Sequence, residues 1–159
     1  MVHKCLVIEK IISGGQTGAD RAALDWAIAN GIPHGGWCPN GRLTEDGPLD
    51  HRYRLQETPI GSYVQRTEWN IRDSDGTVIF SISEVLTGGS KKTLEFARKL
   101  GKPVLHLSMT GGVSVAASAL RRFIEDHGFR VLNVAGPRGS KEPEVGSFVK
   151  AVLDKMFDQ

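Results

Sequence analysis

The chain has 159 residues, 40% of them hydrophobic, and its 20 basic and 18 acidic side chains leave a formal charge of +2. That length and apolar content suit one domain, residues 1–159, built on one core. The near-balance of charge, with lysines and arginines spread along the chain, argues against nucleic acid as a partner.

The opening "MVHKCLVIEKIIS" is short and interrupted by Glu9 and Lys10, so it reads as neither a signal peptide nor a membrane span. Strands are expected at short apolar, β-branched runs and helices where the period is 3.6 residues. "KIIS" (10–13) predicts a strand. Residues 18–30 predict a helix with Ala22, Ala23, Trp26 and Ala27 on one face, ended by Asn30-Gly31. "HGGWCP" (34–39) is a weak strand, and 40–61 a polar, irregular stretch. A helix is expected over 62–74, then a strong buried strand, "GTVIFSI" (76–82). The remaining expectations are a helix over 90–101, a strand at "PVLHLS" (103–108), a helix over 112–127, a strand at "RVLNVAG" (130–136) and a helix over 142–157. This alternation predicts an α/β, Rossmann-like three-layer fold, a mostly parallel sheet with helices on both faces.

Ligands of such sheets sit outside the carboxyl ends of the strands. The four turns on that edge are "SGGQTGAD", "CPNGRLTEDG", "SEVLTGGSKKT" and "AGPRGSKEP", all rich in Gly, Ser, Thr, Asn or Arg. In the first, Gly14, Gly15 and Gly18 let an anion approach the backbone at a helix N-terminus, where N–H groups lack intrahelical partners, and Ser13 or Thr17 adds a hydroxyl. The competing reading is a compact turn capped by Asp20. A second glycine turn, "TGGSKKT", follows the strongest strand. Neither has the spacing of the dinucleotide fingerprint or the P-loop. On the cradle reading, Gly15→Val removes ligand binding from a protein that still folds.

Arg66, Asn70 and Asp73 fall on one face of the helix at 62–74, either as a solvated stripe or as a partner for an anion; Arg66 otherwise pairs with Asp73 or Asp20. Residues 40–61 are long for a connector, which suits a segment closing over a ligand with Arg42 and Arg54 as clamps, or one packing on a neighbouring subunit. The five histidines are scattered, His106 reads as a satisfied imidazole, and no protein-ligated metal is expected. Cys5 and Cys38 lack metal or redox spacing and read as reduced thiols of a cytoplasmic protein. Trp37, beside a glycine turn, is a candidate for stacking on a flat ring.

Several stretches together, "SGGQTGADRAALDWA", "GGWCPNGRLTEDG", "YRLQET", "RTEWNIRDSDGTVIF", "TGGSKKT" and "LNVAGPR", resemble the molybdenum cofactor carrier family across residues 11–138. That family is similar to a wider Rossmann-like group that includes the lysine-decarboxylase-like phosphoribohydrolases and proteins proposed to sense nucleotides. The resemblance implies a homo-oligomer, dimer or tetramer, holding a small phosphorylated ligand: molybdenum cofactor or a nucleotide-like molecule. By position it implies that Gly14, Gly15, Gln16, Thr17, Gly18 and Asp20 hold phosphate or ligand oxygens. Thr87, Gly88, Gly89, Ser90 and Thr93 would form a second anion loop, with Arg42, Arg66, Asn70 and Arg138 on the rim. The chain departs from the phosphoribohydrolase signature P-G-G-x-G-T-x-x-E. Its "TGGSKKTLEFA" has Thr87 for the proline and Lys91 for the third glycine, with Thr93 one place late and Glu95 two residues beyond it.

Three functions fit this reading. The first is a non-catalytic carrier of a phosphorylated heterocycle. The second is an enzyme that cleaves the N-glycosidic bond of a nucleoside monophosphate, with Glu95, Asp20 or Asp75 as its acid or base. The third is a nucleotide-sensing module. Visible phosphate cradles, without a coherent acid–base constellation, favour the first.

Overall fold

The computed structural model describes residues 8–158, so His3 and Cys5 lie outside the described residues. In chain order the elements are β1 (Lys10–Ile12), α1 (Ala19–Ala29), β2 (His34–Gly35), β3 (Trp37–Cys38), β4 (Leu43–Thr44), β5 (Gly47–Pro48) and β6 (Gln56–Glu57). There follow α2 (Tyr63–Arg72), β7 (Gly76–Ser81), α3 (Gly88–Lys99), β8 (Val104–Ser108), α4 (Gly112–His127), β9 (Val131–Ala135) and α5 (Val145–Phe157). Local signals set several ends. The Ser62 hydroxyl accepts from Val64 N–H at 3.1 Å to cap α2, and α4 stops at the left-handed Gly128.

Five strands form one sheet in the order β2-β1-β9-β7-β8, and every pairing is parallel. The strand added last, β9, lies between β1 and β7. The connection from β1 to β2 and that from β7 to β8 therefore run in opposite directions, which opens a crevice at the carboxyl ends around β9.

The two faces of this sheet differ. Ile11, Val78, Phe80, Leu107, Leu132 and Val134 join residues of α1, α4 and α5 in the main apolar cluster. Within it Phe80 meets Phe148 edge to face, with ring centroids 5.6 Å apart. Side chains alternate across a strand, so Thr77, Ser81 and Asn133 belong to the opposite face, the side on which α2 and α3 pack together and α3 meets β7. A parallel sheet covered on both faces usually reads as continuous apolar runs. Here the central strands carry buried polar groups on the α2/α3 side.

The single strand expected over 34–39 is two. At Gly36 (φ +123) an added Cβ would overlap the Ser13 carbonyl, and the chain leaves the main sheet there. β3 then pairs with β6 in a separate two-stranded sheet. Residues 40–61 are also more ordered than their polarity suggests. They contain the antiparallel pair β4 and β5 and strand β6. Leu49, Tyr53 and Leu55 bury with Leu24 of α1 and with Cys38.

Arg42, in the left-handed region at φ +57, organises this segment from inside. Its guanidinium donates to the carbonyls of Leu49 (3.0 Å), Leu55 (3.3 Å), Asp50 (2.9 Å) and Tyr53 (2.7 Å). Arg42 is thus turned to the segment's own backbone instead of clamping a ligand, and Arg54 is exposed. Arg42→Ala is expected to lower the unfolding free energy by about 2 kcal/mol, since several charge-assisted bonds vanish together. Urea unfolding measures the loss, and new protease cuts within 40–61 locate it.

Candidate functional site

The three glycines after β1 all face protein. A Cβ on Gly14 would overlap the Arg66 side chain. On Gly15 (φ +79) it would lie 2.8 Å from Leu49 Cδ2 and 3.1 Å from Leu55 Cδ2, and on Gly18 (φ +81) it would overlap the Pro137 carbonyl, 2.7 Å from Gly139 N. Most of the amides of this turn also have protein acceptors. Gly15 N–H points to Ser13 Oγ (3.4 Å), Thr17 N–H to Gln16 Oε1 (3.1 Å) and Ala19 N–H to the Pro137 carbonyl (3.3 Å). The expectation that Gly15→Val leaves a folded protein is therefore corrected: the side chain would strain a left-handed residue and strike the cluster under residues 40–61.

Asp20 is the acid this turn delivers. Its Oδ2 accepts two long bonds, from Arg66 Nη1 at 3.3 Å and Gln16 N–H at 3.4 Å. Burial pushes its carboxyl up to about 6, with the Arg66 charge acting the other way. Arg66 Nη1 also donates to the Gly14 carbonyl at 3.1 Å, and its guanidinium lies 5.2 Å from the Tyr63 ring centre. Of the two partners expected for Arg66, Asp20 is the one met. Asp73 instead accepts from Trp37 Nε1 (2.8 Å) and Arg72 Nε (2.8 Å) at the end of α2. Asn70 brackets Trp37, accepting from its N–H at 2.8 Å and donating to its carbonyl at 3.0 Å. Trp37 packs edge to face on Trp69.

A cavity of about 630 Å³ opens beside this ion pair, within the range of small-molecule sites. It runs from the carboxyl edge of the sheet down between α2 and α3, over β9. Gly14, Gln16, Asp20, Arg66, Asn70, Gly88, Gly89, Ser90, Thr93 and Arg138 line it, as do Lys92, Lys141, Tyr63, Phe96 and Asn133. Its upper wall is the start of α3, which begins two residues earlier than the sequence predicts, so that Gly88 and Gly89 are its first turn.

A Cβ on Gly89 would meet nothing within 4 Å, unlike every glycine of the first turn. The N–H groups of Gly88, Gly89 and Ser90 have no acceptor among the described residues; the first protein bond of this turn runs from Lys91 N–H to the Thr87 carbonyl (3.4 Å). Four cations, Arg66, Lys92, Arg138 and Lys141, line the cavity against one carboxylate, Asp20. Open amides at a helix N-terminus, with cations in the lining, are features that favour an anion.

The remaining expected residues are not in the lining. Gly15 and Gly18 serve packing, and Arg42 serves residues 40–61. Thr17 Oγ1 donates to Glu45 (2.7 Å) and accepts from Gly139 N–H (3.0 Å), while Thr87 Oγ1 takes a hydrogen bond from Lys141 Nζ. Three of the four expected turns reach the cavity. The "CPNGRLTEDG" turn acts behind it: Glu45 binds Thr17 and Ser140, and Arg138 lies 3.4 Å from its carboxylate. Ser140 and Thr17 together hold the Glu45 carboxyl below its ordinary range.

Of the acids considered for catalysis, Glu95 is exposed and does not line the cavity. Asp75 lies at the opposite end of the sheet, accepting from Arg130 and Val131 N–H at 2.8 Å each. His106 Nε2 lies 2.6 Å from Ser81 Oγ. Among the described residues no three His, Cys, Asp or Glu side chains converge as metal ligands, and no helix is long and apolar enough to cross a membrane. Lys92, Lys141, Tyr63, Phe96 and Asn133 were not singled out in the sequence. The available signal was Asn133 itself, a polar residue in the middle of "VLNVA".

A parallel doubly wound sheet with a cationic cavity over its switch point defines a Rossmann-like ligand-binding domain. Residues 11–157 match the model of the circularly permutated YpsA SLOG family, and the chain belongs to that family. It is similar to a solved crystal structure, the "putative molybdenum carrier protein" from Syntrophus aciditrophicus SB, with 47% identity, 96% of each chain covered and a TM-score of 0.93. No curated protein matches. The fold and the family resemblance expected from the sequence both hold.

Folded Asp20 keeps its proton up to about pH 6, against 3.8 for an ordinary aspartate, so the native state binds more protons between those values. Its contribution to stability is complete below about pH 4 and is lost as pH rises through about 6. The stability of Asp20→Asn relative to the native chain should therefore rise across this window, by on the order of 3 kcal/mol. Urea unfolding of both proteins at each pH measures this, and a flat difference would contradict the assignment.

Proposed function

We propose that the protein binds a phosphorylated heterocyclic ligand without transforming it, seating the phosphate on the first turn of α3. The observation that carries this reading is the open cradle at Gly88–Ser90: unpaired amides, no obstruction above Gly89, and a surplus of cations around it. The cavity is large enough for a ring and a phosphate together. The solved relative's description as a molybdenum carrier favours molybdenum cofactor as the ligand. The residues present fit the organic part of that group: its phosphate at Gly88–Ser90 with Lys92, Lys141 and Arg138, and its ring in the cleft between α2 and α3. Cys38 is buried under residues 40–61 and is not among the residues lining that cleft.

A second reading has one observation in its favour. Asp20, raised to about 6 and lining the cavity, has the properties of a general acid for N-glycosidic cleavage of a nucleoside monophosphate. It stands alone there, with no second carboxylate, and binding remains the better-supported function.

Thermal shifts against nucleoside mono- and diphosphates, pterins and molybdopterin test both readings when the incubated nucleotides are also analysed for free base. A ligand at about 100 times its Kd stabilises by about 2.7 kcal/mol, a shift of several degrees for a chain of this size. Gly89→Leu is expected to abolish the shift with the unliganded Tm unchanged, because the new side chain enters open space at a position without positive φ. A full shift in Gly89→Leu would place the anion elsewhere, and released base would establish the hydrolase.

A further inference from the structure

We propose that Asn133 reads the ring of the bound ligand. The proposal rests on the phosphorylated-heterocycle reading and supplies the residue that recognises the ring. Asn133 lies in mid-strand on β9, in register with Ile12 and Thr77, and is 3% exposed. Leu132 and Val134 on either side enter the apolar cluster beneath α1, α4 and α5. The Asn133 side chain therefore takes the other face, where it lines the cavity between α2 and α3.

One of its two amide N–H groups donates to Thr77 Oγ1 at 3.1 Å. The second N–H and the Oδ1 acceptor have no partner among the described residues. The unpaired part of the amide opens on the cavity, where a leucine would present no polar edge. Its neighbours are already engaged: Asn70 brackets Trp37, and Thr93 Oγ1 donates to the Gly89 carbonyl at 2.9 Å. Asn133 thus offers a free donor–acceptor edge inside the cleft.

Position separates this edge from the phosphate site. The amides of Gly88–Ser90 and the cation Lys141 belong to the turns at the carboxyl edge of the sheet, whereas Asn133 and Phe96 lie further down strand and helix. A neutral slot with one aromatic wall and one amide edge suits a planar heterocycle. The required edge is a ring N–H beside a carbonyl, or an amino group beside a ring nitrogen, which a carboxamide engages with two hydrogen bonds. Purines and pterins both carry it; a sugar phosphate does not.

The test is calorimetric titration of the native chain, Asn133→Leu and Asn133→Asp with AMP, GMP, hydroxymethylpterin phosphate and ribose phosphate. The native chain should bind at least one ring-bearing probe more than tenfold tighter than ribose phosphate. Asn133→Leu should reduce that advantage about tenfold or more and leave ribose phosphate within twofold. Asn133→Asp keeps the size and replaces donor with acceptor. It should move selectivity away from AMP and toward GMP and the pterin, whose adjacent N–H and amino groups both donate to a carboxylate. Equal weakening of all probes, or no change in either variant, overturns the proposal, as does a native chain that ignores the ring. If Gly89→Leu abolishes all binding while the Asn133 variants change nothing, the phosphate reading stands and the ring assignment falls. If no probe binds the native chain, both fall.

Discussion

The backbone contact between the turn after β1 and the turn after β9 sets the geometry of the whole carboxyl edge. Ala19 N–H points to the Pro137 carbonyl and Gly139 N–H to Thr17 Oγ1; a Cβ on Gly18 would overlap the Pro137 carbonyl, and one on Gly136 would overlap Ala19 Cβ and the Phe80 carbonyl. Thr17 and Ser140 are then joined through Glu45, so residues 40–61 hold both turns from behind. With two turns locked to each other, the α3 turn is left as the free wall of the crevice. The polypeptide fills one glycine turn with itself and keeps the other open.

The same division explains the sheet's two faces. The side beneath α1, α4 and α5 carries the large apolar residues and accounts for most of the core. The α2/α3 side carries Thr77, Ser81 and Asn133, and its helices do not close over β9. Burying polar groups there weakens that layer, a pattern expected where a site is built into a fold. Asp20 belongs to the same compromise: a carboxyl held by two long bonds, raised to about 6, beside an arginine that also fixes the Gly14 carbonyl.

Much of this architecture was legible in the sequence because each central element has a strong local signal. "GTVIFS", bounded by glycine on one side and a serine-rich turn on the other, and the amphipathic α1 and α4 appear almost where expected. What sequence could not supply was direction. Gly14, Gly15 and Gly18 look alike in one dimension, yet each avoids a different neighbour: Arg66, Leu49 with Leu55, and Pro137 with Gly139, all distant in the chain. Glycine spacing reports close approach without saying whether a ligand or the protein approaches. Gly36 hid in the same way, splitting one expected strand into two sheets.

Arg42 and Arg66 show the complementary difficulty. Both are arginines near glycine-rich segments and both suit an anion rim. Arg42 is enclosed by four carbonyls of its own segment, whereas Arg66 reaches the cavity because α2 runs back along the sheet. Polar periodicity found the face of α2 that matters, but only tertiary contacts separate Arg66 from Asp73 along it. Asn133 was hidden for another reason. A single asparagine in an apolar strand reads as an exception until both sides of the strand are known.

The central claim, that the anion seats at α3 and not at α1, is tested most directly by amide NMR. Inorganic phosphate, then AMP, is titrated into uniformly labelled protein while backbone N–H shifts are followed. The account predicts saturable shifts concentrated at Gly88, Gly89 and Ser90. Saturable shifts at Gly14 to Gly18 with the α3 amides unmoved would contradict it.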